Sequence, residues 1–189
     1  MNLSLTSKCG LTPRTATSLP TELTDCHTNG KQQLKWMPPC KSILACDPDW
    51  TYSNITNACY KMIYNLNWTD AENACVSEGA HLASIHNPLE DHFLDEFTKT
   101  GISFSSGYVW VWVGLNDLAG VGSWTWTDGT PFDYFNWAPS EPNGLDSARC
   151  VEILPDQWTQ DDGYFQRWAN TYCTLQMRAG VCQKPARLN

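Results

Sequence analysis

Nine cysteines spread through 189 residues constrain this chain more than any other feature of its sequence. A structural zinc site takes close C-x-x-C pairs, and none is present; no paired histidines follow at finger spacing either. Cysteines this far apart suit disulfides, which persist in oxidising compartments. Three N-x-S/T sequons, at Asn2, Asn54 and Asn67, fit the same secretory route. The expected location is therefore secreted or extracellular. The opening MNLSLTSKCG has neither the basic n-region nor the apolar run of a signal peptide, so a leader is expected outside these residues. No stretch approaches the ~20 apolar residues of a membrane-spanning helix.

Charge and motif content narrow the function classes. The formal net charge is -8 with a pI near 4.8, and no basic cluster exists to neutralise phosphates, which argues against nucleic acid and anionic membrane as partners. The histidines, His27, His81, His86 and His92, form no H-E-x-x-H pattern, and no G-x-S-x-G elbow is present. The reading is a binding protein and not an enzyme.

Organisation changes near residue 46. Residues 1–45 are rich in Thr, Ser and Pro and hold Cys9, Cys26 and Cys40 without a hydrophobic period, as a stalk or cysteine-tied extension would. An odd cysteine there makes a disulfide-linked dimer an expectation. Residues 46–184 read as one domain, followed by a tail at 185–189. Cys46 to Tyr60 reads as a hairpin. Asn67 caps a helix with Asp70 at its third position, Ala71, Ala74 and Cys75 on its inner face, and an end near Gly79. His81–Ile85 is a short strand. Asn87–Pro88 starts a second helix, with Glu90 completing a capping box and Leu89, Phe93 and Phe97 as its buried stripe. Val109–Val113 reads as a strand buried on both faces. A long stretch rich in turn residues follows Leu115, and irregular loops of that length inside a compact domain are usually functional. Strands resume at Cys150–Ile153 and Ala179–Cys182. The order gives an α+β fold.

Several ordered marks then fall into one pattern. They are Cys59-Tyr60, Trp68-Thr69-Asp70-Ala71-Glu72 running to Cys75, and Gly79-Ala80-His81-Leu82-Ala83-Ser84-Ile85. Trp112-Val113-Gly114-Leu115-Asn116-Asp117, Trp126-Thr127-Asp128-Gly129, Tyr134, Asn136-Trp137 and Glu141-Pro142-Asn143 follow in order. The series resembles the C-type lectin domain family over roughly 46–184. The resemblance implies two helices flanking small antiparallel sheets with a long irregular loop region. It also implies the disulfides Cys46–Cys59, Cys75–Cys182 and Cys150–Cys173, leaving Cys9, Cys26 and Cys40 outside the set.

Members that bind sugar hold a calcium ion in the long loop, and calcium takes roughly six to eight oxygen ligands. Glu141-Pro142-Asn143 matches the tripeptide associated with mannose- and glucose-type selectivity, with a cis proline in the family. The next ligand position is Ala148, with Asp146 the nearby acid. The W-N-D motif reads Trp168-Ala169-Asn170, so Asn170 offers one neutral oxygen and Ala169 none. At the accessory calcium position Asp117 is kept, while Val121 and Gly144 replace acids. The resemblance thus implies Glu141, Asn143 and Asn170 as a calcium set, joined by Asp146 as ligand-binding residues. Asp161 and Asp162 are further acids able to serve an ion. Trp158, Tyr164 and Phe165 are candidates for stacking on sugar rings. Glycan binding is the expected function, and calcium-independent binding to a protein surface is the alternative.

Overall fold

The computed structural model describes residues 44–103, 109–144, 146–157 and 163–188. Cys9, Cys26, Cys40, Asn2, Trp158, Asp161 and Asp162 lie outside the described residues. Leu44–Arg187 forms one compact unit. The elements run β1 (Leu44–Ala45), β2 (Thr51–Ser53), β3 (Ala58–Leu66), α1 (Trp68–Ser77), β4 (His81–Leu82) and α2 (Pro88–Thr98). They continue with β5 (Val111–Asn116), β6 (Thr125–Trp126), β7 (Cys150–Ile153), β8 (Trp168–Thr171), β9 (Met177–Pro185) and β10 (Arg187–Leu188).

Local chemistry sets the helix ends. Asn67 Oδ1 accepts from the Asp70 backbone N–H at 2.9 Å, as the expected cap requires, and the return bond to the Asp70 carboxylate comes from the Asn67 side-chain Nδ2 at 2.7 Å. The amide that would carry a glycan at Asn67 is thus the cap of α1, whereas Asn54 is exposed in the β2–β3 turn. α1 buries Trp68, Ala71 and Cys75, with Ala74 only half-buried. Its end is turned by Gly79, at a φ of 69° that favours glycine. Asn87 caps α2 through the Leu89 and Glu90 amides, and Pro88 occupies the first turn, where its missing N–H costs nothing.

The face that α2 buries differs from the expected one. Leu89 is 67% exposed and Phe93 and Phe97 are half-buried, while Asp91, Leu94, Asp95 and Thr98 are buried. The apolar spacing of four marks the flank on which Phe93 and Phe97 pack against Tyr60. The true inner face carries two carboxylates because the loops above it supply donors for one of them.

Eight of the strands form one connected sheet in the order β2-β3-β9-β5-β7-β8, with β4 added to β9 and β6 to β5; β1 and β10 are not part of it. Its strand pairs are antiparallel except β5 with β9, which run parallel. β4 is shorter than the expected His81–Ile85 strand. The central strand begins at Val111, two residues later than expected, and all six of its residues are buried. Gly114 within it is required sterically: a Cβ there would meet the Leu82 carbonyl at 2.6 Å and the Thr127 hydroxyl at 2.7 Å. Tyr60, Ile85, Leu94, Val111, Val113, Leu115, Val151, Ile153, Trp168 and Val181 pack into one core cluster, and Trp68, Cys75, Leu82, Trp112, Cys150 and Cys182 into another.

All three implied disulfides are present, Cys46–Cys59, Cys75–Cys182 and Cys150–Cys173. The first closes the β2–β3 hairpin region, the second ties α1 to β9, and the third anchors the end of β8 beside β7.

Candidate ligand-binding site

β5 ends at Asn116 and β7 begins at Cys150, and the intervening chain leaves the sheet as a long loop. Backbone bonds stitch that loop back onto β8: Ala138 N–H donates to the Trp168 carbonyl at 2.8 Å and Trp168 N–H to the Asn136 carbonyl at 2.9 Å. Beneath them lies Asp91 of α2. Its carboxylate accepts from the Trp168 indole at 2.8 Å, the Asn136 amide at 2.6 Å and the Tyr134 hydroxyl at 3.0 Å. Burial raises the Asp91 carboxyl above its ordinary range, and those donors oppose the rise. The buried acid on α2 is therefore a footing for the loop face.

On that footing the Glu141–Pro142 peptide is cis. Glu141 Oε1 accepts from the Asn143 amide at 2.8 Å and from the Tyr164 hydroxyl at 2.8 Å. The Asn170 side chain, only 6% exposed, closes the arrangement. Its Oδ1 accepts from the Asn143 backbone N–H at 2.7 Å. Its Nδ2 donates to the Asn143 carbonyl at 2.5 Å and to the Ala148 carbonyl at 2.6 Å. One primary amide offers an acceptor and two donors, and here all are used. Ala148 and Ala169 are buried and supply no side-chain oxygen.

The structure brings three of the four expected residues together, Glu141, Asn143 and Asn170. Asp146 is exposed in the turn after Gly144 and, among the described residues, takes no part in this bond network. Of the side-chain oxygens here, Asn170 Oδ1 already has its hydrogen bond and Glu141 Oε1 has two, while Glu141 Oε2 is buried without a hydrogen-bond partner among the described residues. No group of three or more His, Cys, Asp or Glu residues suited to a metal occurs among the described residues.

Two features here were not singled out from sequence. Glu152 on β7 is fully buried, and neither of its carboxylate oxygens has a hydrogen-bond partner among the described residues. Burial first, and the Glu141 charge second, push it well above the carboxylate range, toward the neutral form. Arg149, one residue before Cys150, binds Asp117 through Nε at 2.7 Å. A lone basic residue in the stretch before Cys150 was the available signal for it.

Comparison with known proteins bears directly on this geometry. The profile of the family described as "Lectin C-type domain" matches residues 64–184. This chain belongs to the C-type lectin domain family. It is 30% identical to the "Type-2 ice-structuring protein" of Osmerus mordax over 160 residues, 83% of this chain and 81% of that protein. It is 35% identical to the human "Secretory phospholipase A2 receptor" over 130 residues, which are 66% of this chain but 8% of the receptor. Among solved structures, a calcium-independent type II antifreeze protein matches with a TM-score of 0.63 at 29% identity, over 77% of this chain and 98% of that one. The carbohydrate-recognition domain of cow CD23, solved in the presence of a GlcNAc2Man3 oligosaccharide, matches with a TM-score of 0.62 at 29% identity, over 77% and 99%. The C-type lectin fold, with its two helices and α+β layout, is thus shown from both sides. Domains of this family are generally non-enzymatic binding modules. No helix among the described residues is long and apolar enough to cross a membrane.

Proposed function

We propose that this C-type lectin domain is a secreted, non-enzymatic recognition module that binds carbohydrate hydroxyls directly through its Glu141–Asn143 face, without a resident calcium ion. The observation that carries the reading is the Asn170 amide. Its three hydrogen bonds hold Asn143 and Ala148 in place by themselves, which is the work an ion coordinated by the loop would do. Asn170 lacks the negative charge that would draw calcium, and Ala148 and Ala169 remove two further oxygens. The Glu141 carboxylate as acceptor and the exposed Asn143 amide as donor suit a polyhydroxylated ligand, with the half-buried Tyr164 beside them. The likeness to a calcium-independent antifreeze protein supports the ion-free part of the reading, and the likeness to an oligosaccharide-bound domain supports the ligand class.

A glycan array probed in chelator and again in calcium tests this. Equal binding in both, abolished in Glu141→Ala, is expected; binding seen only in calcium contradicts it. A second reading, calcium-independent docking on a protein surface, is favoured by the exposed Phe135 and Phe165 on the loops. A silent array with a chelator-insensitive pull-down from host secretions would select it. Thermal hysteresis of ice growth is the matching test for the property named in the Osmerus mordax relative.

A further inference from the structure

Asp117 poses a separate physical problem. Its side chain has no exposed surface, at the point where β5 runs into the long loop. A buried carboxylate needs a counter-charge or full hydrogen bonding to persist as an anion. Here the counter-charge is covalently part of the chain. Arg149 Nε donates to Asp117 Oδ1 at 2.7 Å, and Arg149 Nη2 donates to the Asp117 carbonyl. The Asp117 N–H in turn donates to the Arg149 carbonyl at 3.1 Å. The other carboxylate oxygen accepts from the Gly122 N–H at 2.7 Å, and the Asp117 carbonyl also accepts from the Gly120 N–H at 3.0 Å. Gly122 adopts a φ of 74°, open to glycine, in aiming its N–H at the carboxylate.

We propose that Arg149 is a tethered cation. It neutralises Asp117, orders the 117–122 turn around that neutralised acid, and fixes the residue next to Ala148, whose carbonyl Asn170 holds. A diffusible divalent ion would give the same neutralisation, but only while bound; a guanidinium in the chain gives it permanently, and bidentate reach suits it to an acid and a carbonyl together. Arg149 is thus a positioning residue for the loop face, two bonded steps from Asn143. The inference extends the ion-free reading to a second place in the fold, but it rests on the Asp117 geometry and not on any ligand.

Hydrogen exchange of the full chain, compared in chelator and in millimolar calcium, tests it without a ligand. The wild type is expected to show equal protection of 117–122 and 146–150 in both media. Arg149→Ala leaves a buried carboxylate unpaired and is expected to raise exchange in both segments by roughly ten-fold or more in chelator. Arg149→Lys, which keeps the charge without the bidentate reach, should retain part of that protection in either medium. Unchanged exchange in Arg149→Ala, or wild-type protection that grows with calcium, would each overturn the proposal. Should Arg149→Ala fail to fold, the pair Asp117→Asn with Arg149→Ala decides. Recovery of folded protein is expected because no charge is left unpaired, and failure to recover counts against the tethered cation. Glycan binding can fail with this result intact, and the reverse also holds.

Discussion

At the scale of single residues the loop face depends on one buried amide. Asn170 spends its acceptor on the Asn143 N–H and its two donors on the Asn143 and Ala148 carbonyls. Deleting it orphans the buried Ala148 carbonyl and two partly buried Asn143 groups, and Asn170→Ala is expected to cost about 1–3 kcal/mol by urea unfolding. Asn170→Asp is the sharper variant. A carboxylate keeps the acceptor but faces two carbonyl oxygens, so it should destabilise in chelator as well; a neutral result would show that the donors contribute little. Sequence identified Asn170 as a weakened calcium ligand and went no further. Its partners are backbone groups of Asn143 and Ala148, and nothing in a linear pattern reports which carbonyls a side chain will meet. Arg149 was missed for the same reason, since its meaning lies in Asp117, 32 positions away.

At the scale of elements the helix ends were legible and the helix faces less so. Caps are set by neighbours three residues apart, which is why Asn67 with Asp70 and Asn87 with Glu90 were readable and are found bonded. The inner face of α2 differs from the expected Leu89, Phe93 and Phe97 stripe because two of its buried positions, Asp91 and Asp95, are carboxylates, which an apolar period does not mark. Asp95 carries a testable consequence. Burial first, then the charges of Asp91 and Glu96, raise it from 3.8 to about 8. The folded state therefore holds this proton more tightly than the unfolded chain. Its contribution to stability declines as pH rises from about 4 to about 8 and is level above that. The raised Asp91 and Glu152 carboxyls act with the same sign. Asp95→Asn is expected to raise the melting temperature at pH 8 and to lose that advantage toward pH 4. An equal effect at both pH values would remove the buried charge from the account.

At the scale of the molecule the disulfides and the sheet make a rigid frame for an irregular loop. The ordered marks from Cys59 to Asn143 carried the fold from sequence, and Gly114 against the Leu82 carbonyl shows a steric reason behind one of them. Disulfide order was implied by resemblance alone, since spacing does not choose among pairings. Cys75–Cys182 closes a separation of 107 residues and Cys46–Cys59 one of 13. Chain entropy makes the former worth about 4.7 kcal/mol and the latter about 3. Replacing Cys75 and Cys182 by Ala should lower the melting temperature more than replacing Cys46 and Cys59, and the reverse order would place native packing above loop closure. The central claim concerns calcium, and equilibrium dialysis of the purified protein against radioactive calcium tests it most directly. Extracellular calcium modules bind at about 0.1–1 mM. No stoichiometric uptake across that range is predicted, because Asn170 and Arg149 already hold the loops; one ion bound per chain, lost in Glu141→Ala, would contradict it.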